Sequence, residues 1–301
     1  MPARSRRRLD DDDDGSAPSD LFVGGAPADP IEERTWLQET WWWETWSVPA
    51  GGGSGWTLSL HGNQRFYLGL HPAGEWRNAQ YDRLRLLGKS LRWTVDVSNV
   101  GCGCNAALYL VDMPQPDESG SRYCDIQYDD PERCLEIDLF EGNIKAAAAT
   151  LHVEAGEASD GKCNQWGCAA AVGKDAEAEG DTYGIRARSI DASRPFDMAA
   201  NFDAEGRMTI FLGQDGVWLR LWDVRSAGNW PETSVPEEAS ARVKASLEGG
   251  MVLVASLWGS SGDGMAWLDG GCTDDYPHCE LDDATAIFKD VRIVGGMRRP
   301  L

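Results

Sequence analysis

The chain has 301 residues, 42% of them hydrophobic, enough for a sizeable core in one large domain or two small ones. Its 49 acidic residues against 28 basic ones leave a net charge of −21, a surface that repels nucleic acid and anionic membranes and suits a neutral partner such as a polysaccharide. No window of eighteen apolar residues exists, so no transmembrane helix is expected.

Residues 1–33 are charged, rich in Pro, Gly and Asp, and without period, and read as a disordered tail. Arg6-Arg7-Arg8 runs into Leu9 and Asp10–Asp14 with no apolar stretch, so this segment is not read as a secretory signal. The aspartate run lacks the Gly and distal Glu of a calcium loop and is expected to be solvated tail. Character changes at Thr35-Trp36, followed by Trp41-Trp42-Trp43 and Trp46. The three consecutive tryptophans read either as sugar-binding or as core; neighbours on a strand face opposite ways, so at most two share a face and core packing is expected for at least one. His61 and His71 read as surface or turn residues.

Leu91 to Val97 alternates apolar and polar residues as a half-buried strand does, and Ala106 to Met113 is a second, apolar strand. Residues 155–180 are rich in Ala, Glu, Gly and Asp and read as a long loop. Met208–Leu212 and Trp218–Trp222, joined through Gln214-Asp215-Gly216, read as a hairpin with an Asp-Gly turn. Val235 to Leu247 is expected to form one short surface helix. Met251 to Trp258 is a continuous apolar run, hence a central strand, and Ile287 to Val294 closes the series. Many strands with Gly-rich connections predict an all-β sandwich of two antiparallel sheets, with residues 34–301 forming one domain.

Eight cysteines fall in local groups: Cys102 with Cys104, Cys124 with Cys134, Cys163 with Cys168, Cys272 with Cys279. Cys102-Gly-Cys104 lacks the two-residue gap of zinc knuckles, and His61, His71, His152 and His278 are scattered, so four disulfides and no metal site are expected. Disulfides imply an oxidising compartment and a secreted protein. No Asn-x-Ser/Thr sequon occurs.

One short segment concentrates the chemistry. Glu136-Ile137-Asp138-Leu139-Phe140-Glu141 sets three carboxylates in an apolar run, where burying charge is costly. Paired carboxylates can cleave glycosidic bonds, one as nucleophile and one as proton donor. On a strand Glu136 and Asp138 share a face, whereas Glu141 points the other way unless a β-bulge absorbs one residue between Asp138 and Glu141. With that bulge the glutamate Cα atoms lie roughly 13 Å apart, and leaning side chains can approach the roughly 5–5.5 Å of a retaining pair. Alone, the pattern reads first as three carboxylates on a solvated sheet face.

The flanking residues resemble glycoside hydrolase family 7, the cellobiohydrolases and endoglucanases. Cys134-Leu-Glu-Ile-Asp-Leu-Phe-Glu-Gly-Asn143 is similar to the family's C-S-E-M-D-I-W-E-A-N, and His152 follows Glu141 at the spacing of its active-site histidine. Val95-Asp-Val-Ser98 with Cys102-Gly-Cys-Asn105-Ala-Ala-Leu-Tyr109, then Tyr123-Cys-Asp-Ile-Gln127, resemble upstream blocks. Gly249 to Trp258 resembles a downstream strand, and Trp267-Leu268-Asp269 follows at the family's tryptophan spacing. The blocks run in order over residues 56–295.

This resemblance implies a concanavalin-like jelly roll with a concave substrate cleft, and a retaining cellulase acting on β-1,4-glucan. It implies Glu136 as nucleophile, Glu141 as general acid and then base, and Asp138 orienting the nucleophile. It places His152 beside the acid/base end. Asn105, Tyr109, Asp125 and Gln127 would line the donor side, with Trp258 a donor-side sugar platform and Trp267 the platform past the cleaved bond. Like-charge repulsion from Glu136 and Asp138 is expected to keep Glu141 protonated. Disulfides Cys124–Cys134 and Cys163–Cys168 follow, with Cys102 and Cys104 bonded to Cys272 and Cys279 in an order the resemblance leaves open. No cofactor, nucleic acid or membrane enters this chemistry, and a monomer is expected.

The chain departs from the family pattern at Phe140, where tryptophan is usual, and at Gly142, where alanine is. The Trp36–Trp46 segment replaces a disulfide-rich region. Loops that roof a tunnel are cut between Cys168 and Asp191 and between Trp222 and Gly249, which implies an open cleft and endo attack. A β-1,3(4)-glucanase or galactanase of the family 16 type shares the sandwich and the bulged motif and is the second reading. A glycan-binding module with a dead site is the third, and the intact carboxylates argue against it.

Overall fold

The computed structural model describes residues 29–30, 34–39, 45–49, 57–126, 133–153, 163, 165–173, 182–223, 237–259 and 262–295. For 29–30, 45–49, 223, 237–238 and 262–263 this covers the backbone. Trp41-Trp42-Trp43, Gln127, most of the 1–33 tail and much of the 155–180 loop lie outside the described residues.

The first strands are β1 (Asp29–Pro30), β2 (Thr35–Glu39), β3 (Thr45–Pro49), β4 (Thr57–His61), β5 (Gln64–Gly69) and β6 (Arg83–Leu84). Then come β7 (Ser90–Asn99), β8 (Cys104–Val111), β9 (Glu136–Gly142), β10 (Ala147–His152), β11 (Cys168–Val172), β12 (Tyr183–Gly184) and β13 (Ile190–Asp191). The last part holds β14 (Phe196–Phe202), β15 (Met208–Gln214), β16 (Val217–Asp223), helix α1 (Glu237–Gly249), β17 (Met251–Gly259), the short helix α2 (Ala266–Asp269) and β18 (Thr285–Val294).

One sheet runs β1-β18-β7-β14-β15-β16 with β4 added beside β18; the other runs β11-β10-β9-β8-β17-β5-β2-β3 with β6 beside β17. Every pairing within them is antiparallel; β12 and β13 form a small parallel pair. Asp29 and Pro30, inside the expected tail, pair with Ile293 and Arg292, so sheet structure begins before the composition change at Thr35.

Alternation decides which side chains enter the core. On β7, Leu91, Trp93, Val95 and Val97 point inward between polar neighbours, and they meet Leu108, Ile137, Leu139 and Phe140 of the opposite sheet in one continuous apolar layer. Trp36 of β2 is fully buried in that layer. The β15–β16 hairpin closes through Asp215 (φ 52°) and Gly216 (φ 85°), the left-handed pair that an Asp-Gly turn supplies. Helix α1 is more than a surface helix: Ala239, Val243 and Leu247, four residues apart, form an apolar stripe in the core.

A second apolar cluster lies on the outer, concave face of the β8–β17–β5 region. Trp76 and Tyr81, from the β5–β6 connection, pack on Tyr67 with ring centroids 5.9 and 5.3 Å away. This cluster walls one side of the concave face.

Candidate active site

Strand β9 carries the site, and a bulge makes that possible. Leu108 pairs with Phe140 and Tyr109 with Asp138, leaving Leu139 as the extra residue; the β9–β10 ladder shifts at the same place. Leu139 and Phe140 therefore both turn into the core, where the Phe140 ring lies 5.9 Å from that of Phe196 in the other sheet. Glu136, Asp138 and Glu141 are left together on the concave face, each no more than 9% exposed.

The neighbouring ladders extend this face sideways. One row reads Thr150, Asp138, Tyr109, Val254 and Tyr67 across β10, β9, β8, β17 and β5. The next reads Ala148, Glu141, Ala107, Ser256 and Arg65. Trp258 pairs with Asn105 at the Glu141 end, while His152 pairs with Glu136 at the other.

Hydrogen bonds distinguish the three carboxylates. Asn105 Nδ2 donates to Glu141 Oε1 at 2.8 Å. His152 Nε2 lies 3.1 Å from Asp138 Oδ2, and its Nδ1 lies 3.1 Å from the Gln165 carbonyl. A carbonyl only accepts, so Nδ1 carries a proton, and the Nε2–Asp138 contact then needs one more proton on either partner. His152 stands against Asp138, pairs with Glu136 across the ladder, and also acts on the Glu141 carboxyl. Tyr123 Oη donates to Asp125 Oδ2 at 2.9 Å and lies 3.3 Å from Tyr109 Oη.

Burial sets the electrostatics. It pushes the Glu141 carboxyl up to about 8, with the Asp138 charge adding to it and the Asn105 and His152 contacts opposing it. Burial also raises Asp138 to about 8, helped by Asp125. Glu136 is raised well above the ordinary carboxylate range, by burial first and then by Asp138. Like-charge repulsion, expected to be the main influence on Glu141, ranks second to desolvation because the bulged strand sinks all three groups.

The sequence-derived residues thus fall in two groups. Glu136, Asp138, Glu141, Asn105, Tyr109 and His152 sit together and are buried; Asp125 is half-buried at the edge, linked through Tyr123. Trp258 and Trp267 are 37% and 45% exposed, with nearly parallel rings whose centroids are 6.4 Å apart. Gln127 lies outside the described residues.

Sequence reasoning passed over several contributors. Arg65 spans the floor beyond Ser256, with its guanidinium 3.8 Å from the Tyr123 ring centroid and 3.6 Å from Glu39. Glu39 also accepts from Tyr67 Oη at 2.8 Å and Ser121 Oγ at 2.9 Å. Asp269, 1% exposed, accepts from the Gly103 amide and Asn143 Nδ2, both at 3.0 Å, and so ties the helix bearing Trp267 to the end of β9. Its place two residues after Trp267 was visible, but its partners were not. Cys102, Asp269 and Cys272 cluster closely enough to suggest a metal site, yet both cysteines are committed to a disulfide.

The four disulfides are Cys102–Cys272, Cys104–Cys279, Cys124–Cys134 and Cys163–Cys168, which settles the order left open above. His278 is exposed, and its backbone bridges to Cys102.

The two-sheet sandwich thus gathers two glutamates and an aspartate on a bulged strand of one sheet. The family model "Glycosyl hydrolase family 7" matches residues 63–127. The chain is 28% identical to endo-beta-1,4-glucanase celB of Emericella nidulans, over 64% of this chain and 59% of that protein. It is 30% identical to endoglucanase EG-1 of Trichoderma longibrachiatum, over 69% of this chain and 49% of that protein. It therefore spans between about half and three-fifths of the length of these relatives. Among solved structures, the native Humicola insolens endocellulase EGI superposes with a TM-score of 0.60 at 22% identity, covering 83% of this chain and 78% of that one. A family 7 cellobiohydrolase from Daphnia pulex gives 0.58 at 18%, covering 83% and 80%. The chain is thus similar in sequence to members of glycosyl hydrolase family 7 and shares the fold of their solved structures.

Proposed function

We propose that this protein is a retaining endo-β-1,4-glucanase that cleaves cellulose or a related β-glucan by double displacement. The observation that carries the reading is the bulge at Leu139, which gathers Glu136, Asp138 and Glu141 on one buried face. Glu136 attacks the anomeric carbon, and its bond to the sugar forms as the glycosidic C–O bond breaks. Glu141, held protonated by burial, gives its proton to the departing oxygen. Esterification of Glu136 removes a charge from the site. Glu141, now anionic, takes a proton from the water that releases the sugar and regenerates Glu136. Asp138 and His152 share a proton beside Glu136 and hold the charge of that end of the site.

The relatives' printed names support the β-1,4 linkage and endo attack. Trp258 serves the donor side and Trp267 the position past the cleaved bond, offering ring faces to apolar sugar faces. Four disulfides support an oxidising, extracellular setting.

The test is a digest of carboxymethylcellulose and of laminarin, with the anomeric configuration of the first product followed by NMR. β-configured product from the cellulose derivative, lost in Glu136→Gln, is expected. Preference for laminarin would favour the β-1,3(4)-glucanase reading. Equal sugar release by wild type and Glu136→Gln on every glucan would leave a binding module.

A further inference from the structure

Trp166 is the most exposed large apolar side chain among the described residues, with 69% of its surface in water. Its backbone is fixed from several sides. The Cys163–Cys168 disulfide closes the loop around it. The preceding carbonyl, of Gln165, contacts His152 Nδ1 at 3.1 Å. The following residue, Gly167 (φ +75°), passes so close to β10 that an added Cβ would lie 2.3 Å from Thr150 Cγ2 and 2.7 Å from His152 Cε1. Thr150 and His152 are the concave-face partners of Asp138 and Glu136. The loop thus packs on the concave-face side chains of β10 and carries Trp166 one peptide link from Gly167, where positive φ and the close approach leave room only for glycine.

Position along the trough follows from strand order. Trp258 stands on β17, two strands to one side of β9, about 10 Å at ordinary strand spacing. The Trp166 loop lies over β10, on the other side of β9. Trp267 belongs to the wall at the Glu141 end, through the Asp269–Asn143 hydrogen bond. The Trp166 loop belongs to the wall at the His152 end.

We propose that Trp166 is a further sugar-binding residue, a platform for a glucosyl ring on the leaving-group side of the cleaved bond, set on the wall opposite Trp267. The inference rests on the β-glucanase reading above. An indole has only two side-chain torsions to order on engaging a ring, and its flat face matches the apolar face of a β-linked glucose.

The test compares kcat/KM for cellohexaose, which places sugars beyond the cleaved bond, with that for an aryl β-cellobioside, which places none there. The ratio of the two is expected to fall about tenfold in Trp166→Ala, the size of a lost aromatic contact, and to be largely restored in Trp166→Tyr. In a Glu136→Gln background, cellohexaose is expected to quench indole emission less once Trp166 is replaced by alanine. An unchanged ratio in Trp166→Ala, or equal falls in the alanine and tyrosine variants, would overturn the proposal while leaving the β-glucanase reading intact. Failure of the wild type to cleave either substrate would instead overturn that reading, and this inference with it.

Discussion

Glu141 has to hold a proton at a pH where Glu136 has lost its own, and burial pushes both carboxyls in the same direction. Their neighbours do not separate them in the required sense: the Asn105 hydrogen bond lowers Glu141, while Asp138 and Asp125 raise Glu136 with the His152 charge opposing. Under the double-displacement roles, in which Glu136 acts ionised and Glu141 protonated, the acidic limb of kcat/KM is expected above 4.5, the ordinary glutamate value, and the alkaline limb near 8, with the alkaline limb lost in Glu141→Gln. A pH series on a soluble glucan checks both limbs. Glu141→Gln should also lose far more rate on unactivated glucan than on substrates with good leaving groups; equal losses would contradict the acid role. Stability carries the same signature. Asp138 rises from 3.8 and Glu141 from 4.5, both to about 8, so the unfolded chain releases these protons first as pH rises. Their contribution is fully present below the ordinary values and is lost as pH climbs through about 8. Thermal midpoints should fall across that window, and Glu141→Gln should flatten the fall.

At the scale of the element, β9 shows what a sequence can and cannot disclose. The bulge was legible because three carboxylates at E-x-D-x-x-E spacing can share a face only if one residue is absorbed, and the structure absorbs Leu139. The alternation of β7 and the Asp-Gly hairpin were legible because they are local. Asp269, Glu39 and Arg65 were not, since their partners lie far away in sequence and only the sheet register brings them together. Two departures from the family pattern turn out to be coupled: a Cβ on Gly142 would lie 2.5 Å from Phe140 Cζ. The Phe140 ring occupies the space that alanine's methyl would need, and it points at Phe196 across the core. Gly142→Ala should therefore destabilise the fold by about 1–3 kcal/mol through overpacking, and shrinking the ring by Phe140→Leu in the same chain should recover part of it. Denaturant midpoints of the two single variants and the double one measure the coupling, and simple additivity would remove this explanation.

On the whole-molecule scale, two disulfides join the same pair of distant segments. Cys102–Cys272 and Cys104–Cys279 span 170 and 175 residues, whereas Cys163–Cys168 spans 5. In the chain-entropy view the first long link removes about 5 kcal/mol of unfolded-state freedom. Once it is closed, the second only closes a small residual loop, worth about 2–3 kcal/mol. Replacing either long-range cystine by a pair of serines should then cost about 2–3 kcal/mol, because the surviving link still holds the large loop. Replacing both should cost clearly more than the sum of the two, since only then does the large loop open. The short Cys163–Cys168 link should cost about 2 kcal/mol and show itself mainly in the ratio of long to short substrate cleavage, through the Trp166 loop. Unfolding free energies of the two single replacements and the double one decide the matter: additive losses would mean that the cystines act through local native packing around Asp269 and Gly103 and not by restricting the unfolded chain.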